Sequence, residues 1–142
     1  MNVERGLLDT NTVILLPRLQ ELGEVTLPAV PLISAITLAE LGVGPLVATN
    51  EEVRSARQTQ LQKAEASFEA LPFDSDAARA YARVASSMRR SGRKGASRNY
   101  DAMIAAVAIS NKLPLFTCNP EDFAGIDELT VIAVPHPDAG RE

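Results

Sequence analysis

The sequence predicts a three-layer α/β/α domain built on a central, mainly parallel sheet. Short apolar runs of strand length alternate with longer stretches of helical periodicity, the pattern that threads parallel strands through covering helices. The segment from Asp101 to Ile109 is apolar nearly all round and reads as a central, buried helix. At 142 residues, 46% of them hydrophobic, the chain is long enough for one core and short for two, so a single domain spanning 1–142 is expected.

The elements follow in order. Leu7-Leu8, just before Asp9-Thr10-Asn11, reads as a short buried strand. Thr10 or Asn11 then caps a helix from Val13 to Leu22, which Pro17 is expected to shorten or kink and Gly23 to end. Leu32-Ile33-Ser34 is the second strand. Thr37 to Leu41 is a helix expected to be short or broken, because Gly42, Gly44 and Pro45 follow at once. Asn50 caps a long amphipathic helix to about Ala70, with Glu51 and Glu52 in its first turn. After a brief extended stretch at Leu71-Pro72-Phe73, Asp74 or Ser75 caps a helix striped by Ala77, Tyr81, Val84 and Met88 and stopped at Gly92. Arg89 to Arg98 reads as a basic loop leading straight into the helix opened by Asp101. Leu113 to Thr117 is a strand, Cys118 to Phe123 turns away from its end, and a last strand near Leu129–Val134 leaves a tail, 135–142, expected to fray.

Composition excludes several classes. The single cysteine, Cys118, forms no internal disulfide, and there is no Cys/His cluster for zinc, so a reducing cytoplasm is expected. No stretch approaches the roughly 18 uninterrupted apolar residues of a membrane helix, and the N-terminus meets Glu4 before any apolar signal region. With 14 Lys and Arg against 18 Asp and Glu, the net charge of −4 argues against a general nucleic-acid binder while leaving room for a local basic patch. His136, the sole histidine, lies in the tail, so nucleophile schemes that rely on a histidine base lack one.

Four acids stand in apolar surroundings: Asp9, Glu40, Asp101 and Asp122. Each has an ordinary reading. Asp9 caps a helix, Glu40 lies on an exposed helix face, Asp101 favours a helix N-terminus, and Asp122 fills a turn. Together they read differently, because Asp9 and Asn119 both follow apolar strands and Asp101 opens a buried helix, so all converge on one edge of one sheet. That edge, outside the carboxyl ends of the strands, is where open α/β sheets bind ligands. Gathered carboxylates repel one another unless a cation is present. Mg²⁺ or Mn²⁺ prefers such oxygen ligands and activates water against a phosphodiester.

The four segments Leu7-Leu8-Asp9-Thr10-Asn11, Thr37-Leu38-Ala39-Glu40-Leu41, Asp101-Ala102-Met103-Ile104-Ala105-Ala106 and Thr117-Cys118-Asn119-Pro120-Glu121-Asp122-Phe123 resemble, in order and spacing, the acidic motifs of PIN-domain ribonucleases. Among these they most resemble the VapC toxins of bacterial toxin–antitoxin pairs. The resemblance implies a Mg²⁺- or Mn²⁺-dependent endoribonuclease acting on RNA such as tRNA or rRNA, usually a homodimer, held inactive by a small VapB-like antitoxin. It assigns Asp9, Glu40 and Asp101 to the metal and the attacking water. The fourth ligand falls either at Asn119, through its amide oxygen, or at Asp122. Thr10, Asn11 and Thr117 match the short polar side chains that orient the acids.

Two readings from other classes stand beside it. A non-catalytic PIN-like module that binds RNA or protein is kept open by the neutral Asn119. A phospho-receiver domain also gathers acids on a parallel sheet, but needs paired acids after its first strand and a late strand-end lysine, and neither is present. The basic loop supplies Arg93, Lys94 and Arg98 as candidate contacts to RNA phosphates; a solvated loop tip is the plainer reading. Arg98, close to Asp101, is alternatively its ion-pair partner.

Overall fold

The computed structural model describes residues 4–23, 25–92 and 96–138. Five strands form one parallel sheet in the order β3-β2-β1-β4-β5: β1 (Arg5–Leu8), β2 (Val30–Ser34), β3 (Ala70–Leu71), β4 (Leu115–Thr117) and β5 (Val131–Ala133). Among the described residues five helices connect and cover them: α1 (Thr10–Leu22), α2 (Ala35–Leu46), α3 (Glu51–Ser67), α4 (Ser75–Arg90) and α5 (Ala96–Ser110), with one 3-10 turn at Pro120–Phe123. The three-layer α/β/α fold expected from the sequence is the fold observed.

Successive strand residues point to opposite faces, and that alternation divides the core in two. Leu7, Leu32 and Leu115 pack with Ala77, Val84 and Met88 of α4 and Ile104 and Val107 of α5. Their immediate neighbours Leu8, Ile33 and Phe116 pack on the other face with Val13 and Leu19 of α1 and Ala64 of α3. Each strand is therefore apolar on both sides, which is why the runs read as short and continuous.

β1 is central: the chain builds β2 and β3 on one side of it, then crosses back to build β4 and β5 on the other. The gap between β1 and β4 is thus the point where strand order reverses, where such sheets bind ligands. Leu7 pairs with Leu115 and Leu8 with Phe116, so one residue further on the register brings Asp9 beside Thr117.

Several expected boundaries shift. Helix α1 begins one residue after Asp9, and Asp9 itself, rather than Thr10 or Asn11, is its N-cap. Pro17 lies inside α1 without shortening it; Val13 and Leu19, buried on either side of it, hold the helix onto the sheet despite the lost backbone bond. Helix α2 is neither short nor broken: capped by Ser34, whose hydroxyl accepts from the Ile36 N–H at 3.0 Å, it runs twelve residues through both glycines. Its packing against α3 overrides their low propensity. Gly44 permits that approach, since a Cβ there would lie 3.2 Å from the Arg57 side chain, whose guanidinium donates to the Gly44 carbonyl at 2.9 Å. Helix α3 stops at Ser67 because β3 begins at Ala70.

Helix α5 starts at Ala96, so Asp101 stands in its second turn and does not open it. The basic stretch correspondingly shrinks: Arg89 and Arg90 close α4, Arg93 and Lys94 lie outside the described residues, and Arg98 belongs to the backbone of α5, its side chain likewise outside them. The tail is anchored further than expected. Pro137 is buried, and Asp138 forms an ion pair with Arg18 of α1, which ties down 135–138; 139–142 lie outside the described residues. No helix among the described residues is long and apolar enough to cross a membrane.

Candidate metal site

Asp9 is the centre of the site. It is 4% exposed, and its carboxylate is fixed at both oxygens. The Thr12 N–H donates to Oδ1 at 3.2 Å, the ordinary capping bond, and the Thr117 hydroxyl donates to Oδ2 at 2.8 Å. Thr117, fully buried, in turn accepts from the Asn119 N–H at 3.0 Å. One hydroxyl therefore sets both the acid that follows β1 and the turn that leaves β4.

Burial pushes the Asp9 carboxyl above the ordinary aspartate range; bonds from Thr12 and Thr117 oppose that, and the charge of Asp122 adds to it. Glu40, half-buried on α2, is raised first by burial and also by the charge of Asp9, against a bond from Thr10. That bond is short: Thr10 Oγ1 to Glu40 Oε1 is 2.6 Å. Asp9, the cap of α1, thus feels the charge of Asp122 in the 3-10 turn, and Glu40 on α2 feels that of Asp9. Asp101 is half-buried on α5, which packs against both α2 and that turn.

Asn119 is the residue before the 3-10 turn; its carbonyl accepts from the Asp122 N–H at 3.0 Å, and its side chain makes no cap. Asn11 is exposed in the first turn of α1. Cys118 is a packing residue: it is buried, and desolvation pushes its thiol up.

Two threonines that the sequence reading passed over belong here. Thr12 is fully buried; besides donating its N–H to Asp9, its hydroxyl accepts from the Cys118 N–H at 3.1 Å. Thr37, also fully buried, meets Thr10 hydroxyl to hydroxyl at 3.0 Å. Both had a signal in the spacing. Thr12 is three residues after Asp9, where an N-cap finds its donor, and Thr37 is three before Glu40, on the same helix face.

Among the described residues no three Asp, Glu, His or Cys side chains close into a ready-made metal cage. The donors nevertheless suit a hard divalent cation in an open, partly hydrated site. They are carboxylate oxygens, burial disfavours the ionised forms of Asp9 and Glu40, and the charges raising them further are other carboxylates. A dication would supply the missing positive charge.

The sequence matches the PIN domain over residues 7–129, and the chain belongs to the PIN-domain family, in its VapC branch. It is 40% identical over 122 residues to Ribonuclease VapC5 of Mycobacterium tuberculosis, spanning 86% of this chain and 87% of that one. Its fold matches, with a TM-score of 0.69 and 34% identity, the crystal structure of VapBC-5, a member of the VapBC family of toxin-antitoxin systems from Mycobacterium tuberculosis, covering 91% of this chain and 98% of that one. FitAcB from Neisseria gonorrhoeae matches with a TM-score of 0.69 at 30% identity, covering 89% and 95%. The resemblance carried by the four acidic segments is borne out.

Proposed function

We propose that this chain is a Mg²⁺- or Mn²⁺-dependent endoribonuclease toxin that hydrolyses phosphodiester bonds in RNA, tRNA or rRNA being the expected class, and that a cognate VapB-like antitoxin restrains it. The activity follows its family, whose similar members include a named ribonuclease, and the antitoxin follows a similar crystal structure belonging to a toxin-antitoxin system. A homodimer acting in the cytoplasm completes the reading. The single observation that carries the site is the Asp9 carboxylate, oriented at both oxygens and raised by its burial and further by the charge of a second acid.

Asp9, Glu40, Asp101 and Asp122 would hold the ion, with Asn119 the neutral alternative in the fourth position. When bound, the ion supplies acidified water and neutralises charge on the phosphate under attack. Asp9 uses one lone pair of each oxygen on Thr12 and Thr117, which leaves the others for a ligand. Glu40, held by Thr10, is the acid we assign to orient the attacking water. Arg93, Lys94 and Arg98 would grip RNA phosphates without selecting bases.

The test is cleavage of a total tRNA and rRNA pool by the purified protein, with Mg²⁺ or Mn²⁺ and with a chelator. Asp9→Asn and Asp101→Asn should each abolish metal-dependent cleavage while the circular dichroism spectrum is retained. Undiminished cleavage by folded Asp9→Asn rejects the reading.

A further inference from the structure

Behind Glu40 stands a chain of two hydroxyls whose direction the chemistry fixes. Thr10 Oγ1 lies 2.6 Å from Glu40 Oε1 and 3.0 Å from Thr37 Oγ1. Thr10 is the donor to Glu40, and a threonine hydroxyl carries one proton. The Thr10 proton is therefore committed to Glu40, and the contact with Thr37 is made by the Thr37 proton on a Thr10 lone pair. Charge-assisted bonds of this kind are the strong ones, and each donor in a chain polarises the next.

The placement matters as much as the direction. Thr10 is the residue after Asp9 and the first of α1, whereas Thr37 and Glu40 lie one turn apart on one face of α2. Thr10 thus reaches both ends of that turn from the element that carries Asp9. Thr37 is fully buried, where a valine of nearly the same shape would fill the space without a polar group to satisfy. Its hydroxyl is explained by its partner on the site side.

We infer that Thr37 is a positioning residue for the metal-dependent reaction: through Thr10 it holds the Glu40 carboxylate in one orientation beside the element that Asp9 caps. The inference rests on the metal-site reading proposed above. Supporting groups of this kind typically change metal affinity or activity by about 10- to 100-fold.

The experiment measures Mn²⁺ binding to the folded protein by electron paramagnetic resonance or calorimetry, alongside kcat and KM for RNA cleavage. Thr37→Val should weaken Mn²⁺ by about 10- to 100-fold and lower kcat with KM for RNA unchanged, while Thr37→Ser restores both. In a Thr10→Ala background Thr37→Val should cost nothing further, because the connection is already cut. Wild-type Mn²⁺ affinity in Thr37→Val, a Thr37→Ser as impaired as the valine, or additive losses in the double variant overturns the inference. Should Thr37→Val not fold, Thr37→Ala removes the hydroxyl without a new methyl against Thr10 and is read the same way. Asp9→Asn run in parallel separates the two levels. If it binds Mn²⁺ like the wild type, the metal-site reading fails and this inference with it; if it is impaired beside an unaffected Thr37→Val, the inference alone fails.

Discussion

Thr117 donates its hydroxyl to Asp9 Oδ2 at 2.8 Å across 108 positions of chain, a buried bond that closes the gap beyond the ends of β1 and β4. The Thr117 hydroxyl oxygen also accepts from the Asn119 N–H. Thr117→Val should therefore leave two polar groups unmet, at a cost of about 1–3 kcal/mol in stability, and should depress cleavage more than a stability loss of that size explains. Thr117→Ser should keep both. Urea denaturation and single-turnover cleavage on the same preparations check this, and a valine variant with wild-type turnover contradicts it.

Asp9 should make the metal-free protein pH-sensitive in a definite sense. Its folded-state pKa is raised, so its contribution favours the fold below the unfolded value, about 3.9, and is lost as pH rises through the folded one. Near neutral pH the empty site is therefore strained, and in chelator Asp9→Asn should melt at or above the wild type there. Adding Mn²⁺ reverses the ranking. At 100 times its Kd a ligand stabilises by roughly 2.7 kcal/mol, a gain open to the wild type and closed to Asp9→Asn. Melting curves at pH 5 and 7.5, with and without Mn²⁺, test it; equal metal shifts in both proteins count against Asp9 as a ligand.

The sequence disclosed the acids better than their surroundings. Asp9 was legible because an apolar pair of strand length precedes it, and Thr117 because Leu115 and Phe116 do the same in the neighbouring strand. Asp101 was misplaced within its helix, since α5 begins at Ala96 in residues whose polarity and nearby Gly92 and Gly95 read as loop. Persistence of α2 through Gly42 and Gly44 depends on its packing against α3, which no local propensity reports. The Thr37–Thr10 contact joins two helices 27 positions apart; spacing puts Thr37 and Glu40 on one face, but only the fold brings Thr10 to them.

Arg93 and Lys94 carry a prediction about the substrate alone. Counterion release gives single-stranded nucleic acid a slope of about −0.7 in log affinity against log salt for each neutralised phosphate. Replacing both residues by alanine should flatten that slope by about 1.4 and leave Mn²⁺ binding intact. Filter binding of RNA to Asp9→Asn protein across a salt series reads it directly, and an unaltered slope assigns the pair to solvent.

Gly6 sets the spacing of the site from below. A Cβ at this position of β1 would fall 2.4 and 2.6 Å from two ring carbons of Phe116 on β4 and 3.1 Å from the Pro28 side chain. The ring is fully buried, so Gly6→Ala should destabilise by about 1–3 kcal/mol through overpacking. Phe116 immediately precedes Thr117, and pushing the ring outward displaces β4 from β1 where Thr117 meets Asp9. Cleavage should fall along with stability, although Gly6 touches neither acid. Phe116→Leu returns space at the same point, so Gly6→Ala with Phe116→Leu should lose less than the sum of the two single changes. Denaturant midpoints for the four proteins measure the coupling, and strict additivity shows that the ring does not transmit the strain.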